Sequence, residues 1–266
     1  MKRAVAANNV NSEGEPAARN TILRAVVGSN LHGLNLEGTD DTDELGVCLE
    51  PPEYVVGLRQ FEQWVYRTQP EGHPSGPGDL DLTVYSLRKY VRLALAGNPT
   101  VLLILFAPKA MCSIRTTEGE QLQALAPSFA SKTVAMPFIG YLQAQRQRLK
   151  GERGGRALRK PWAREHPESG YDTKYAMHMV RLGYQGVELL ATGRITLPMP
   201  EPARSFVMSI RRGEVELEEV LTRAAELEQR IVDLNETSPI PDRPDKERIE
   251  EWMVRTYLAK WGSQGR

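Results

Sequence analysis

Asp41-Thr42-Asp43 is the part of this sequence with the clearest chemical use. Residues two apart on a strand point to the same face, so the two carboxylates can converge on one site. Mg²⁺ is a hard cation that takes one or two carboxylates together with substrate phosphate oxygens. Asp81 opens a later strand-like run and is a candidate third ligand. Three carboxylates make a frame for two ions, Mg²⁺ or Mn²⁺, of the kind that polarise a phosphoryl group and activate an attacking hydroxyl. A bare Asp-x-Asp is more commonly a solvated turn, and Asp40 offers a second register, so it stays an alternative ligand. Upstream, Gly28-Ser29 interrupts an apolar run. The glycine lets the backbone approach a ligand closely, and the hydroxyl and the N–H groups that follow can meet phosphate oxygens. Gly-Ser is weak alone and gains weight by preceding Asp41-x-Asp43 within one strand–turn–strand unit.

The elements that must position these residues follow from pattern. Thr21 to Val27 reads as a buried strand stopped by Gly28-Ser29. A second strand runs through Leu45, Val47 and Leu49 to Pro51-Pro52, and a third covers Leu80 to Tyr85. Strict alternation from Asp43 puts Leu45 and Val47 on the metal face, which calls for a twist or bulge near Gly46. Ser86 is a good N-cap for a helix to Ala96, ended by Gly97 and Asn98-Pro99. Helical spacing then dominates: Phe138 to Leu149, Tyr171 to Thr192, Val215 to Leu234 and Lys246 to about Trp261. A small early sheet with late helices predicts an α+β fold. Residues 1–19 are polar and aperiodic and read as a disordered arm. A catalytic core over 20–135 and a helical region over 136–266 complete the expected organisation.

Taken together, these residues resemble the DNA polymerase beta superfamily of nucleotidyltransferases. Its pattern is Gly-Ser, a short helix, Asp-x-Asp on the next strand and a later carboxylate on a third. The closer resemblance is to the predicted nucleotidyltransferases of bacteria and phages that include the RNA-ligase-associated branch. It is carried by GSNLHGLN (28–35), DTDELGV (41–47), VYSLRKYVRLALAGNPTVLLILF (84–106), FIGYLQAQ (138–145) and YDTKYAMHMVRLGYQGVELLATG (171–193). The usual family form has Ser-Asp-x-Asp; here Thr39 or Asp40 stands for the serine, and the loop is one residue longer. The resemblance implies transfer of NMP from an NTP. Lys174, His178 and Arg181 share one helix face and are candidate triphosphate ligands beside Gly28 and Ser29. His32 and His73 belong to no constellation, His32 being only close to the turn. Arg88 and Arg92 can reach phosphate or simply line an exposed helix face.

Composition narrows the partners. With 34 basic and 34 acidic residues and a pI near 6.9, the chain has no global field for nucleic acid. Contact with an RNA or DNA acceptor would fall to the basic stretch 146–164, where Trp162 offers a ring for stacking. Its alternative reading is a solvated linker. The same chemistry on a protein or small molecule, or an inactive binding module, are the competing functions. Cys48 and Cys112 have no metal-type spacing. The longest apolar run, Val101 to Ala107, is far short of the roughly 20 residues that span a bilayer. A cytoplasmic protein without membrane contact is expected.

Overall fold

Thr21–Val27 forms β1, whose Leu23, Ala25 and Val27 alternate into the core. The computed structural model describes residues 14–36, 38, 41–70, 72–73, 75–150 and 169–264. Ahead of β1 lies helix α1 (Glu15–Asn20), so part of the segment expected to be a disordered arm is helical; residues 1–13 lie outside the described residues. After β1 come α2 (Gly28–His32), β2 (Thr42–Cys48), α3 (Pro52–Val55), the edge strand β3 (Gln63–Arg67) and β4 (Leu80–Ser86). Helices α4 (Leu87–Leu95) and α5 (Pro99–Phe106), strand β5 (Cys112–Arg115), α6 (Thr117–Ala124) and α7 (Ala126–Phe129) follow. The chain closes with α8 (Ala135–Leu149), α9 (Thr173–Thr192), α10 (Ala203–Arg211), α11 (Leu217–Thr237) and α12 (Lys246–Gln264).

The sheet order is β3-β4-β2-β1-β5, with β2 and β4 parallel and the other neighbours antiparallel. The fold is therefore α+β with a mixed sheet. The expected irregularity at Gly46 is absent: both ladders of β2 run in register across it, and the β1–β2 ladder shifts only between Thr21 and Leu23. Leu45 and Val47 do share the face of Asp43. That face changes character along its length instead, with half-buried Asp43 at its open end and Leu45 and Val47 in the main core beyond. The opposite face carries a smaller cluster of Cys48, Trp64, Leu82 and Val84, covered by Ala17 of α1.

Ser86 caps α4 by accepting the Lys89 N–H at 3.1 Å, satisfying a donor the first turn leaves free. Asn98 then caps α5, accepting the Thr100 N–H at 3.0 Å and the Val101 N–H at 3.3 Å, with Pro99 at the first helical position. Helix α9 packs between α8, α10 and α11 and buries Ala176, Met179, Val180 and Leu189. At the other end of the sheet, the buried Glu50 carboxylate accepts from the Leu87 N–H at 3.0 Å and the Tyr257 hydroxyl at 2.5 Å, tying α12 to the core. Among the described residues no single helix is long and apolar enough to cross a membrane.

Candidate active site

The ladder registers place the acidic residues. Val27 on β1 lies opposite Asp43 on β2, and Asp43 lies opposite Asp81 on β4. Asp41 sits just before β2 starts, so the Asp-x-Asp pair straddles the strand end rather than lying within it. One carboxylate oxygen from each of Asp41, Asp43 and Asp81 comes within 4.8 Å of the others, and all three residues are half-buried. Like charges this close repel in a shielded site unless a cation or donor separates them. Asp40 lies outside the described residues.

Gly28 opens α2 directly after β1 with φ +71°, a left-handed conformation that turns the chain out of the strand. A Cβ there would stand 2.4 Å from Asp43 Oδ2. The space in front of Asp43 thus exists only because residue 28 has no side chain. Three clustered carboxylates with that opening fit a hard divalent cation, which takes oxygen ligands and keeps room for phosphate oxygens. Ser29 follows in α2, half-buried at the same turn.

Asp81 is already engaged. Its Oδ1 accepts from Arg67 Nε at 3.0 Å and Gln69 Nε2 at 2.9 Å, and its Oδ2 accepts from Ser75 Oγ at 2.6 Å. Burial works against its ionisation, but the bonds from Ser75, Arg67 and Gln69 outweigh it and hold the carboxyl below its usual range.

The basic face of α9 is not uniform. Lys174 is exposed, whereas His178 and Arg181 are half-buried and turn toward α2. Arg181 Nη1 lies 2.8 Å from His32 Nε2 and 2.9 Å from Gln185 Oε1, and Nη2 lies 3.4 Å from His178 Nδ1. The Gln185 amide in turn lies 3.1 Å from His32 Nδ1. His32 is therefore the buried link between the Gly28-Ser29 helix and α9, not a bystander. Its position in the same short helix as the turn was the available signal; Gln185 gave none. The Nε–H of Arg181 is buried without a hydrogen-bond partner among the described residues. Arg88 and Arg92 are elsewhere: α4 starts at the far end of β4 from Asp81, some 16 Å along at about 3.3 Å per residue. There Arg92 pairs with Glu62 at 2.7 Å.

A guanidinium can only donate, so His32 Nε2 must accept, and a second proton on that ring is disfavoured. Burial first, then the charge of Arg181, holds the His32 pKa well below its ordinary value. Burial also depresses His178, with Arg181, Lys174, Arg211 and Arg148 adding to the effect. As the pH falls below about 6.5, the unfolded chain takes up these protons while the native state refuses them. Stability should therefore fall between pH 6.5 and 5, by up to about 1.4 kcal/mol per pH unit for each histidine. Urea unfolding at a series of pH values measures this, and His32→Gln should remove one histidine's share. An unchanged slope in that variant would show that His32 is protonated in the native state.

No curated protein matches the chain. The crystal structure of a nucleotidyltransferase-like protein from Exiguobacterium sibiricum 255-15 is similar at 13% identity, over 84% of this chain and 71% of that one, with a TM-score of 0.29. The profile of the RNA repair pathway DNA polymerase beta family matches residues 1–255. With nearly its whole length matched, this chain belongs to the RNA repair pathway DNA polymerase beta family, a group of DNA polymerase beta-type nucleotidyltransferases.

Proposed function

We propose that this protein transfers NMP from an NTP to an acceptor hydroxyl on RNA, using Mg²⁺ or Mn²⁺ held by Asp41, Asp43 and Asp81. The observation that carries the reading is the meeting of these three carboxylates under the gap left by Gly28. RNA is favoured because the family's name ties it to RNA repair. When bound, the divalent ions would neutralise phosphate charge and lower the pKa of the attacking hydroxyl.

The chain's own residues divide the remaining work. Gly28 and Ser29 give the triphosphate close access to backbone and a hydroxyl donor. Lys174 and Arg181 would form a cationic wall for the triphosphate, with His178, whose protonation burial disfavours, as a polar neighbour and His32 and Gln185 fixing the guanidinium of Arg181. A donor fixed in advance loses less freedom when the anion arrives. Asp81, on the strand of the triad nearer the sheet edge, would take the acceptor's proton once its present donors have withdrawn.

Of the basic residues in the stretch 146–164, Arg146, Arg148 and Lys150 fall among the described residues. Arg146 is committed to Glu228 at 2.6 Å, and Arg148 lies 6.0 Å from the Tyr175 ring centre. Residues 151–164, including Trp162, lie outside the described residues.

Incubation with each labelled NTP, a divalent cation and a mixture of RNA, DNA and protein acceptors tests the proposal. Label should appear on RNA and depend on the cation. Label found only on protein would change the acceptor class, and no labelling under any condition would overturn the activity.

A further inference from the structure

We infer that Arg67 is a positioning residue that latches Asp81 shut until a divalent cation displaces it, an inference that rests on the metal reading of Asp41, Asp43 and Asp81. The strand registers set this up. Arg67 on β3 lies opposite Asp81 on β4, which lies opposite Asp43 on β2. Residues paired in this way project to one face of a sheet. One row across three strands thus reads cation, carboxylate, carboxylate.

Both oxygens of Asp81 are covered from one hairpin. Besides the bonds from Arg67, Gln69 and Ser75 to Asp81, Arg67 Nη2 donates to Ser75 Oγ at 2.9 Å, and Gln69 also reaches Ser75. This cluster is a poor staple for the fold. The Arg67 and Asp81 side chains are 40% and 27% exposed, and ion pairs in that setting contribute little to stability. The hairpin also has its own ties: the Thr68 N–H donates to the Leu80 carbonyl at 3.1 Å, and the Leu80 N–H donates to Thr68 Oγ1 at 2.8 Å. The Arg67 side chain can therefore swing away while the strands stay paired.

For a divalent cation the contact matters more. A guanidinium on Asp81 and a cation sharing that carboxylate repel each other. By linkage, each lowers the other's affinity for Asp81 by the same factor. Without metal, Arg67 offsets the repulsion among the three aspartates and holds Asp81 in line. With metal, it must withdraw, which exposes Asp81 to the acceptor only once the cation is in place.

The test is titration of the full-length, metal-free protein with Mn²⁺, following loss of the free-ion signal by electron paramagnetic resonance. Arg67→Gln should bind Mn²⁺ about five-fold more tightly than the wild type, the low end for coupled sites because the pair is partly exposed. Arg67→Lys, which keeps the charge, should stay nearer to the wild type. The gain should vanish when Arg67→Gln is made together with Asp81→Asn. Equal or weaker Mn²⁺ affinity in Arg67→Gln overturns the latch, as does a gain of the same size without Asp81. Undiminished Mn²⁺ binding in both Asp41→Asn and Asp43→Asn would instead overturn the metal reading beneath it.

Discussion

Asp41→Asn and Asp43→Asn are each expected to cut NMP transfer by roughly a thousand-fold, the several kcal/mol of charge stabilisation that a misplaced catalytic cation forfeits. Asparagine keeps the shape and one carbonyl oxygen but loses the charge that a hard cation needs. Neither carboxylate is part of the apolar core, so the fold should survive. The sign of the stability change is a sharper check. With three carboxylates within 4.8 Å of one another, removing one relieves repulsion in the metal-free protein. Thermal stability without metal should stay level or rise, while the extra stability conferred by Mg²⁺ shrinks. Steady-state transfer kinetics and melting with and without Mg²⁺ measure both halves. Normal turnover by both variants would sink the metal assignment, and inactivation only by Asp40→Asn would move the register by one.

How much of this was legible in the sequence depends on the range of each interaction. The three aspartates could be named because two lie within one turn-to-strand unit and the third opens a clear apolar run. Strands β1, β2 and β4 and helices α4, α8, α9, α11 and α12 follow from periodicity and caps, because each buries one face. Strand β3 was missed because it is an edge: Trp64 is buried while Val65 is exposed, so five residues give only a weak alternation. With it went Arg67 and the whole arrangement around Asp81. Strand β5, at four residues, is too short for any period. Helix α5 is apolar nearly all round and has no stripe to read. Asn98-Pro99 ends α4 as expected, but the same pair also starts α5, since a proline at the first turn costs no hydrogen bond. His32 and Arg181 are 149 residues apart, and nothing local announces such a pairing.

That long-range link changes how the cationic wall is understood. Spacing alone presented Lys174, His178 and Arg181 as equivalent members of one face. Burial separates them: Lys174 is a solvated charge, whereas Arg181 is half-buried and held by His32 and Gln185. Burial lowers the Arg181 pKa to about 10, which still leaves it charged near neutrality. A desolvated, pre-oriented cation discriminates for phosphate more strongly than an exposed one. Because His32 sits in the same helix as Gly28 and Ser29, the turn and the cation are positioned by one short element.

Gly28→Ala should be the most damaging change that adds only a methyl group. Residue 28 has φ +71°, where a side chain costs about 1–2 kcal/mol. That penalty alone would make the variant merely less stable. The added Cβ, however, would lie 2.4 Å from Asp43 Oδ2, a separation that cannot persist. The atom it meets belongs to a side chain and not to backbone, so the Asp43 carboxylate is what must shift. The loss is then chemical, because the ligand leaves the triad. Gly193→Ala supplies the control: its φ is also +71°, but its nearest new contact is an ordinary 3.6 Å to Ile240. Both variants should lose similar stability in urea unfolding. Only Gly28→Ala should lose transfer, by about a hundred-fold or more, on the scale of a displaced electrostatic group. It should also bind Mn²⁺ more weakly than the wild type, whereas Gly193→Ala should not. Equal activity in the two alanine variants would mean that the opening over Asp43 is a feature of the turn alone and that the phosphate enters from another side.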